Sequence, residues 1–354
     1  MADSLERVIK LIKPLDRSAM AAARERQQWL TKPRGALGRL EELSIQIAGI
    51  TGNPLPKLGR KVIVTMAADH GVVAEGVSLY PQAVTREMVL NFVRGGAGIN
   101  VLAKLVGVRV TVVDMGVVGG FPPTPGLVCK MIDFGTKDMA NGPAMTRTQA
   151  VDAVEAGIEI LEGETAVGLD IVGTGDMGIG NTTASAAICA VFSGEPAAMV
   201  AGRGAGLDDA QLRHKVQVIE QALKVNKPDR RDALDVLAKV GGFEIGGLVG
   251  VILGAAARRI PVVIDGFVSG AAAMAAVGLC PQVREYLIAA HLSAETGHGL
   301  MLKHLGLTPL LDLGMRLGEG TGGVLAMFLA EAAVKTLTEM ATFKEAGVSD
   351  IEKS

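Results

Sequence analysis

Five segments of this chain repeat one design, and that repetition limits the fold more than any other feature. Each is a short run of β-branched and other apolar residues that ends in charge and glycine. They read "KVIVTMAADHG" from Lys61, "VRVTVVDMGVVGG" from Val108, "GLDIVGTGDMGIGN" from Gly168, "RIPVVIDGFVSG" from Arg259 and, more weakly, "YLIAAHLSAE" from Tyr286. Strands that are apolar along their whole length, separated by helical stretches, belong to a parallel sheet covered on both faces. In such sheets ligands bind beyond the C-terminal ends of the strands. The polar residues that follow these runs are therefore the ones to collect: Asp69, His70, Asp114, Asp176, Asp265, Ser293 and Glu295. Taken singly, each serves equally well as a turn or helix cap. Their recurrence at one end of successive strands is what points to a site.

The flanking segments read differently. Residues 1–50 alternate apolar and charged at helical spacing, with a turn at Pro33 and Gly35. "TGNPLPKLGRK" (Thr51–Lys61) is a linker. The closing segment, Thr321 to Phe343, reads as a long amphipathic helix that returns to the N-terminal helices. The expected division is a small helical domain, residues 1–57 plus about 330–354, and an α/β nucleotide- and base-binding domain, residues 58–329.

Bulk properties exclude several classes. With 49% hydrophobic and 20% charged residues among 354, a large core can be buried. Aromatics at 3%, a net charge of −2 and the lack of a basic block argue against nucleic acid as a partner. Cys129, Cys189 and Cys280 are scattered and form no CxxC, which reads as reduced thiols in a cytoplasmic protein. The first residues carry charges through their apolar positions, unlike a signal peptide. The longest uncharged run, Gly266 to Val283, is too rich in Ala, Gly and polar residues for a membrane span and reads as a buried helix with its exit loop.

Two glycine loops lead into helices. "GTGDMGIGNTT" (Gly173–Thr183) contains G-x-G-x-x-G, which suggests a dinucleotide site. That reading needs an acid at the end of the next strand. Glu195 has the right distance but precedes the next apolar run, "AAMVAG". A seat for a single phosphate at the helix start near Asn181, Thr182 and Thr183 is the more general reading. "AGRGAGLDDAQLRHK" (Ala201–Lys215) is the second loop, with Lys215 facing either inward or into water. Asp69–His70 and Glu295–His298 are potential metal pairs, but neither has a third ligand at usable spacing. Neither a P-loop nor a nucleophile elbow occurs. Asp114 stands alone where pyrophosphate-using phosphoribosyltransferases carry two adjacent acids. Finally, "RLGEGTGG" (Arg316–Gly323) surrounds Glu319 with four glycines. It reads either as a loose turn with a solvated carboxylate or as a general base at a pocket's lip, where the glycines admit a planar ring.

Together "KPRGALGRLEELSIQIAG", "AADHGV", "GTGDMGIGNTT", "KVGGFEIGGLVGVILGAA", "VVIDGFVSGAAA", "YLIAAHLSAETGH" and "RLGEGTGG" resemble the nicotinate-nucleotide:dimethylbenzimidazole phosphoribosyltransferase family, from about residue 15 to about residue 340. The resemblance implies a Rossmann-like parallel sheet flanked by helices, with a small helical domain, in a cytoplasmic homodimer without metal or other cofactor. It implies transfer of ribose phosphate from nicotinate mononucleotide to a benzimidazole-type base in cobalamin nucleotide-loop assembly. Glu319 matches the catalytic glutamate. Asp176 stands where relatives have a second glutamate, so the supporting acid is one methylene shorter. Gly178, Gly204 and Lys215 match the phosphate site, and Ser293 and Leu317 the nicotinate and ribose side. Tyr80 and Met88 fall in the wall of the base pocket, where they replace smaller or polar residues. Two other functions compete: a non-catalytic nucleotide-binding module and a dinucleotide oxidoreductase.

Overall fold

A computed structural model of the chain describes residues 4–349; residues 1–3 and 350–354, the extreme ends of the expected helical domain, lie outside it. The N-terminal helices are α1 (Leu5–Leu11), α2 (Arg17–Trp29) and α3 (Arg39–Thr51). Next come β1 (Lys61–Ala68), α4 (Ala83–Arg94), α5 (Gly98–Val106), β2 (Arg109–Gly116), β3 (Leu127–Cys129) and α6 (Arg147–Val167). The middle comprises β4 (Ile171–Met177), α7 (Asn181–Ser193), α8 (Ala197–Val200), α9 (Asp209–Asn226), α10 (Ala233–Val240) and α11 (Phe243–Ala257). The last part holds β5 (Val262–Ile264), α12 (Phe267–Leu279), β6 (Leu287–Ala289), α13 (His298–Leu305), α14 (Thr321–Glu339) and α15 (Phe343–Ala346).

All five apolar runs are strands of one parallel sheet, in the order β3-β2-β1-β4-β5-β6. This is the doubly wound order whose direction reverses between β1 and β4, where a crevice opens at the strand ends. Strand β1 is buried along its full length. Side chains alternate across a strand. Val62, Val64, Met66 and Ala68 therefore join the core under α6, α11 and α12, while Ile63 and Ala67 face α3, α5 and α14. Continuous apolarity in the sequence thus records burial on two faces.

Helix α11 is buried through Ala256, all round, which suits a central helix. Its glycines allow the backbone of α6 to touch it. A Cβ on Gly250 would lie 1.9 Å from the Val154 carbonyl oxygen, and one on Gly157 1.9 Å from that of Gly247. The motif "FEIGGLVG" is thus a packing surface.

The structure departs from the sequence reading in small ways. The three residues of β3 carry no strand signal in the sequence. "AAMVAG" forms the short helix α8 rather than a strand, and α14 ends at Glu339, not Phe343. Residues 83–106 are long and apolar enough to cross a bilayer if they were one helix. Gly95, at φ +82°, ends α4 instead, and α5 starts afresh at Gly98. The Gly266–Val283 run is the buried 13-residue α12 plus a 3₁₀ turn.

Candidate active site

The collected strand-end residues fall into two groups. Asp114 and Asp69 brace turns: Asp114 accepts the Gly116 and Val117 N–H groups, and Asp69 accepts that of Val118 at 2.8 Å. His70 and Glu244 form a fully buried pair at 2.7 Å, and His298 Nδ1 accepts the Ser293 N–H, so neither histidine extends toward a metal-type cluster. Among the described residues no group of three or more His, Cys, Asp or Glu is arranged to hold a metal ion.

The second group converges. A cleft of about 320 Å³ opens at the β1/β4 reversal, and its lining includes Tyr80, Asp176, Gly178, Gly204, Ser293 and Leu317. These are six of the nine residues expected at the site. A larger open hollow of about 890 Å³ lies between α2 and α15, lined by residues such as Trp29, Phe343 and Val348, but none of the strand-end acids reaches it. Convergent polar groups, not volume, mark the functional site.

Lys215 lies beneath one end of the cleft. It faces inward and is fully buried; its Nζ donates to Thr182 Oγ1 at 2.8 Å and to the Gly202 carbonyl at 3.3 Å. Burial pushes its pKa down to about 8, opposed by the charge of Glu295. Thr182 is in the first turn of α7, whose N-cap, Gly180, offers no side-chain acceptor. Gly204, at φ +52°, passes close to both Thr182 and Lys215. Gly178 cannot carry a side chain, because a Cβ would lie 2.4 Å from the Ala68 carbonyl oxygen. An ammonium, a helix N-terminus and bare backbone together form an anion seat.

Glu319 directly follows Gly318, the last residue of the cleft lining, and is not itself part of that lining. It is 4% exposed, so it is not a solvated turn residue. Its backbone is left-handed, at φ +64°, one of three such non-glycine residues among those described. That conformation costs on the order of 1–3 kcal/mol in a residue with a side chain, and such strain concentrates at functional sites. Three contacts hold it: its N–H reaches the Asp176 carbonyl at 3.3 Å, its carbonyl accepts Thr65 Oγ1 at 2.9 Å, and its carboxylate accepts the Ile99 N–H at 3.0 Å, at the start of α5. Burial raises its pKa, opposed by the Ile99 N–H and reinforced by the charge of Asp265.

The neighbouring glycines do something other than admit a ligand ring. Only Gly318 lines the cleft. Gly320, Gly322 and Gly323 turn inward, where a Cβ would lie 2.5 Å from Ile63 Cγ2, 2.1 Å from His291 Cδ2 and 3.3 Å from Ile63 Cδ1 respectively. Close packing on the sheet, not ligand access, requires Gly320 and Gly322, and it leaves little room at Gly323.

Asp176 is the penultimate residue of β4, and its carboxylate accepts Asn181 Nδ2 at 3.0 Å. Burial holds its pKa well above the ordinary carboxylate range, and the charges of Asp265, Glu244 and Glu319 add to this. Met88 is half-buried on α4, packs against the core and does not line the cleft. Leu317 is 60% exposed and Tyr80 52% exposed, so both border open space. The sequence reading passes over His291, Arg316 and Met177, which also line the cleft. His291 and Arg316 are only two or three residues from Ser293 and Glu319, the residues it does collect.

The dinucleotide reading fails here, because Glu195 leads into α8 rather than ending a strand, and the next strand, β5, starts only at Val262. Comparison with known proteins points elsewhere. A family described as phosphoribosyltransferase matches residues 12–348. The nicotinate-nucleotide–dimethylbenzimidazole phosphoribosyltransferase of Desulforudis audaxviator is 63% identical, with 98% of each chain covered. The enzyme of that name from Roseiflexus sp. is 62% identical, again over 98% of each chain. A crystal structure from Thermus thermophilus, described as the same enzyme, superposes with a TM-score of 0.90 at 48% identity, covering 95% of this chain and all of the other.

The burial of Asp176 has a measurable consequence. Its folded-state pKa lies above the unfolded value, so between the two the folded chain holds a proton that the unfolded chain has released. Stability therefore falls as pH rises through that window and stays reduced above it. Asp176→Asn should melt higher than wild type at pH 8, by about 2–4 °C for each kcal/mol regained, and gain less at pH 5. Equal differences at the two pH values in thermal scans would contradict the assignment.

Proposed function

Because the chain belongs to the nicotinate-nucleotide–dimethylbenzimidazole phosphoribosyltransferase family, we propose that its cleft moves the ribose 5-phosphate of nicotinate mononucleotide onto a benzimidazole-type base. The products are an α-ribazole 5′-phosphate and nicotinate, and the step belongs to cobalamin nucleotide-loop assembly. The observation that carries this reading is Glu319: a buried carboxylate of raised proton affinity, held in a strained turn directly after Gly318, the last residue lining a cleft that has a buried lysine and a helix N-terminus at one end.

The chemistry needs few groups. One ring nitrogen of the base attacks C1′ while the bond from C1′ to the pyridinium nitrogen breaks. Attack opposite the leaving group inverts the β-anomer to the α-anomer. The electron pair leaves with nicotinate, whose ring nitrogen becomes neutral. The attacking base must shed the N–H proton of its other nitrogen, and Glu319 accepts it; a base within about 2.6–3.2 Å of that proton suits the task. Its raised pKa makes it a better acceptor than an ordinary surface glutamate. Asp176 supports it from β4. The phosphate goes to Gly178, Gly204 and Lys215, whose ammonium would regain full charge beside the anion. Ser293 and Leu317 face nicotinate and ribose. Tyr80 borders the base side, to which the family resemblance also assigns Met88.

The same reading divides the chain into the helical and α/β parts expected from sequence, and makes it a homodimer. In support of the dimer, α5 exposes Val101 and Leu105 (65% and 78%), and α14, packed beside it, exposes Phe328. The free thiols of Cys129, Cys189 and Cys280 fit a cytoplasmic location.

Two outcomes follow. Glu319→Gln removes the proton acceptor with little change of shape, so nicotinate release at saturating base should slow by about 10²–10⁴-fold, with little change in the KM for the nucleotide. Release at the wild-type rate would remove Glu319 from the mechanism. Light scattering should give twice the chain mass, and Leu105→Asp should shift the protein toward monomer. A wild-type monomer at micromolar concentration would refute the dimer.

A further inference from the structure

Helix α14, like α7, has no side-chain cap of its own. Its N-cap is Gly320, which has no side chain to accept the free N–H groups of the first turn. Helices α2, α6, α9 and α10 cap themselves with Asp16, Thr146, Asp208 and Asp232. For α14 the acceptor comes from the sheet. Asp265, directly after β5, accepts the Gly323 N–H at 2.8 Å through Oδ1 and the Gly320 N–H at 3.3 Å through Oδ2.

The contact is closed on every side. Asp265 is 1% exposed, and His291 Nε2, from the end of β6, lies 3.7 Å from Oδ1. His291 Nδ1 has no partner among the described residues. A side chain at position 322 could not be accommodated, since a Cβ would sit 2.9 Å from Asp265 Oδ1 as well as against the His291 ring. Asp265 therefore fastens the loop immediately after Glu319 to strand β5, while Thr65 and Asp176 fasten Glu319 itself to β1 and β4.

We propose that Asp265 is the positioning residue of the transfer reaction: by capping α14 from β5 it keeps Glu319 in its left-handed turn directly after the cleft-lining Gly318. This rests on Glu319 being the general base. Asp265 also acts through charge. The groups facing Glu319 are Asp265 and Asp176 and, from α5, the Ile99 N–H. Asp265 itself faces His291, Asp176, Glu319 and the α14 backbone; behind these stand Glu244, toward Asp176, and His298, toward His291. Burial raises the Asp265 pKa to about 6, opposed by His291 and the Gly323 N–H. Once ionised, Asp265 disfavours ionisation of Glu319, so removing its charge makes Glu319 lose its proton at lower pH.

The test compares Asp265→Asn, Asp265→Glu and Glu319→Gln in one nicotinate-release assay across pH. Asparagine keeps the shape but has one acceptor oxygen and no charge, so only one of the two N–H groups stays paired. For Asp265→Asn, kcat should fall about tenfold to a hundredfold, the scale of a misplaced catalytic group, with the nucleotide KM little changed. The acid limb of its kcat–pH profile should move to lower pH. Asp265→Glu keeps the charge on a longer arm, so kcat should fall while the limb stays near that of wild type. A limb that does not move in Asp265→Asn would reduce Asp265 to a structural cap and overturn the proposal, as would an unchanged kcat. If Asp265→Asn does not fold, a shifted limb in Asp265→Glu would overturn it instead. If Glu319→Gln is slow and Asp265→Asn is not, only the positioning role fails. If Glu319→Gln turns over at the wild-type rate, the base assignment fails first.

Discussion

The close approach of the Gly318–Gly323 loop to the ends of β4 and β5 is the constraint on which the site depends. At Gly175 any Cβ would lie 2.2 Å from the Glu319 carbonyl oxygen. On the loop side, Gly320 and Gly322 leave no space above Ile63 and His291. Thr65, opposite Gly175 in the β1/β4 register, supplies the hydroxyl that receives the loop. The loop thus meets β4 backbone to backbone at Gly175, and the Ile63 and His291 side chains at Gly320 and Gly322. In that setting a strained turn persists because its surroundings over-determine it. The strain at Glu319 is then a product of the fold rather than a local preference of the chain.

That packing gathers three acids, Asp176, Asp265 and Glu319, where water is scarce. Burial raises the proton affinity of each, and their mutual repulsion raises that of Asp176 and Glu319 further. The fold offsets part of the cost with His291 beside Asp265 and with backbone donors: the start of α5 for Glu319 and the start of α14 for Asp265. The buried cation, Lys215, is kept beside Glu295 at the anion seat. On the proposed function, keeping Lys215 apart from these acids suits a donor whose leaving group becomes a neutral ring nitrogen.

Much of this was legible in the sequence, for identifiable reasons. Strands β1, β2 and β4 were plain because burial on two faces forces unbroken apolar runs. Strand β3 was not, because its three residues are at the sheet edge and mostly exposed. The anion seat was visible as glycine leading into a helix, but the direction of Lys215 depends on how α9 docks, which no local pattern reveals. Glu319 stood out by its glycines, though their inward orientation is a tertiary fact. Asp265 looked like any strand-end acid, since the N–H groups it caps are more than fifty residues away in the chain. The resemblance to a known family supplied the roles that packing alone would have left open, and those roles for Tyr80 and Met88 came without their differing depths.

The most direct measurement is a structure of the protein with a benzimidazole base and nicotinate bound. A general base at Glu319 requires the base to lie in the cleft with a ring nitrogen about 2.6–3.2 Å from the Glu319 carboxylate, and the Gly320 and Gly323 N–H groups still held by Asp265. A base bound with both ring nitrogens out of reach of Glu319, or facing a different acceptor, would contradict the central claim.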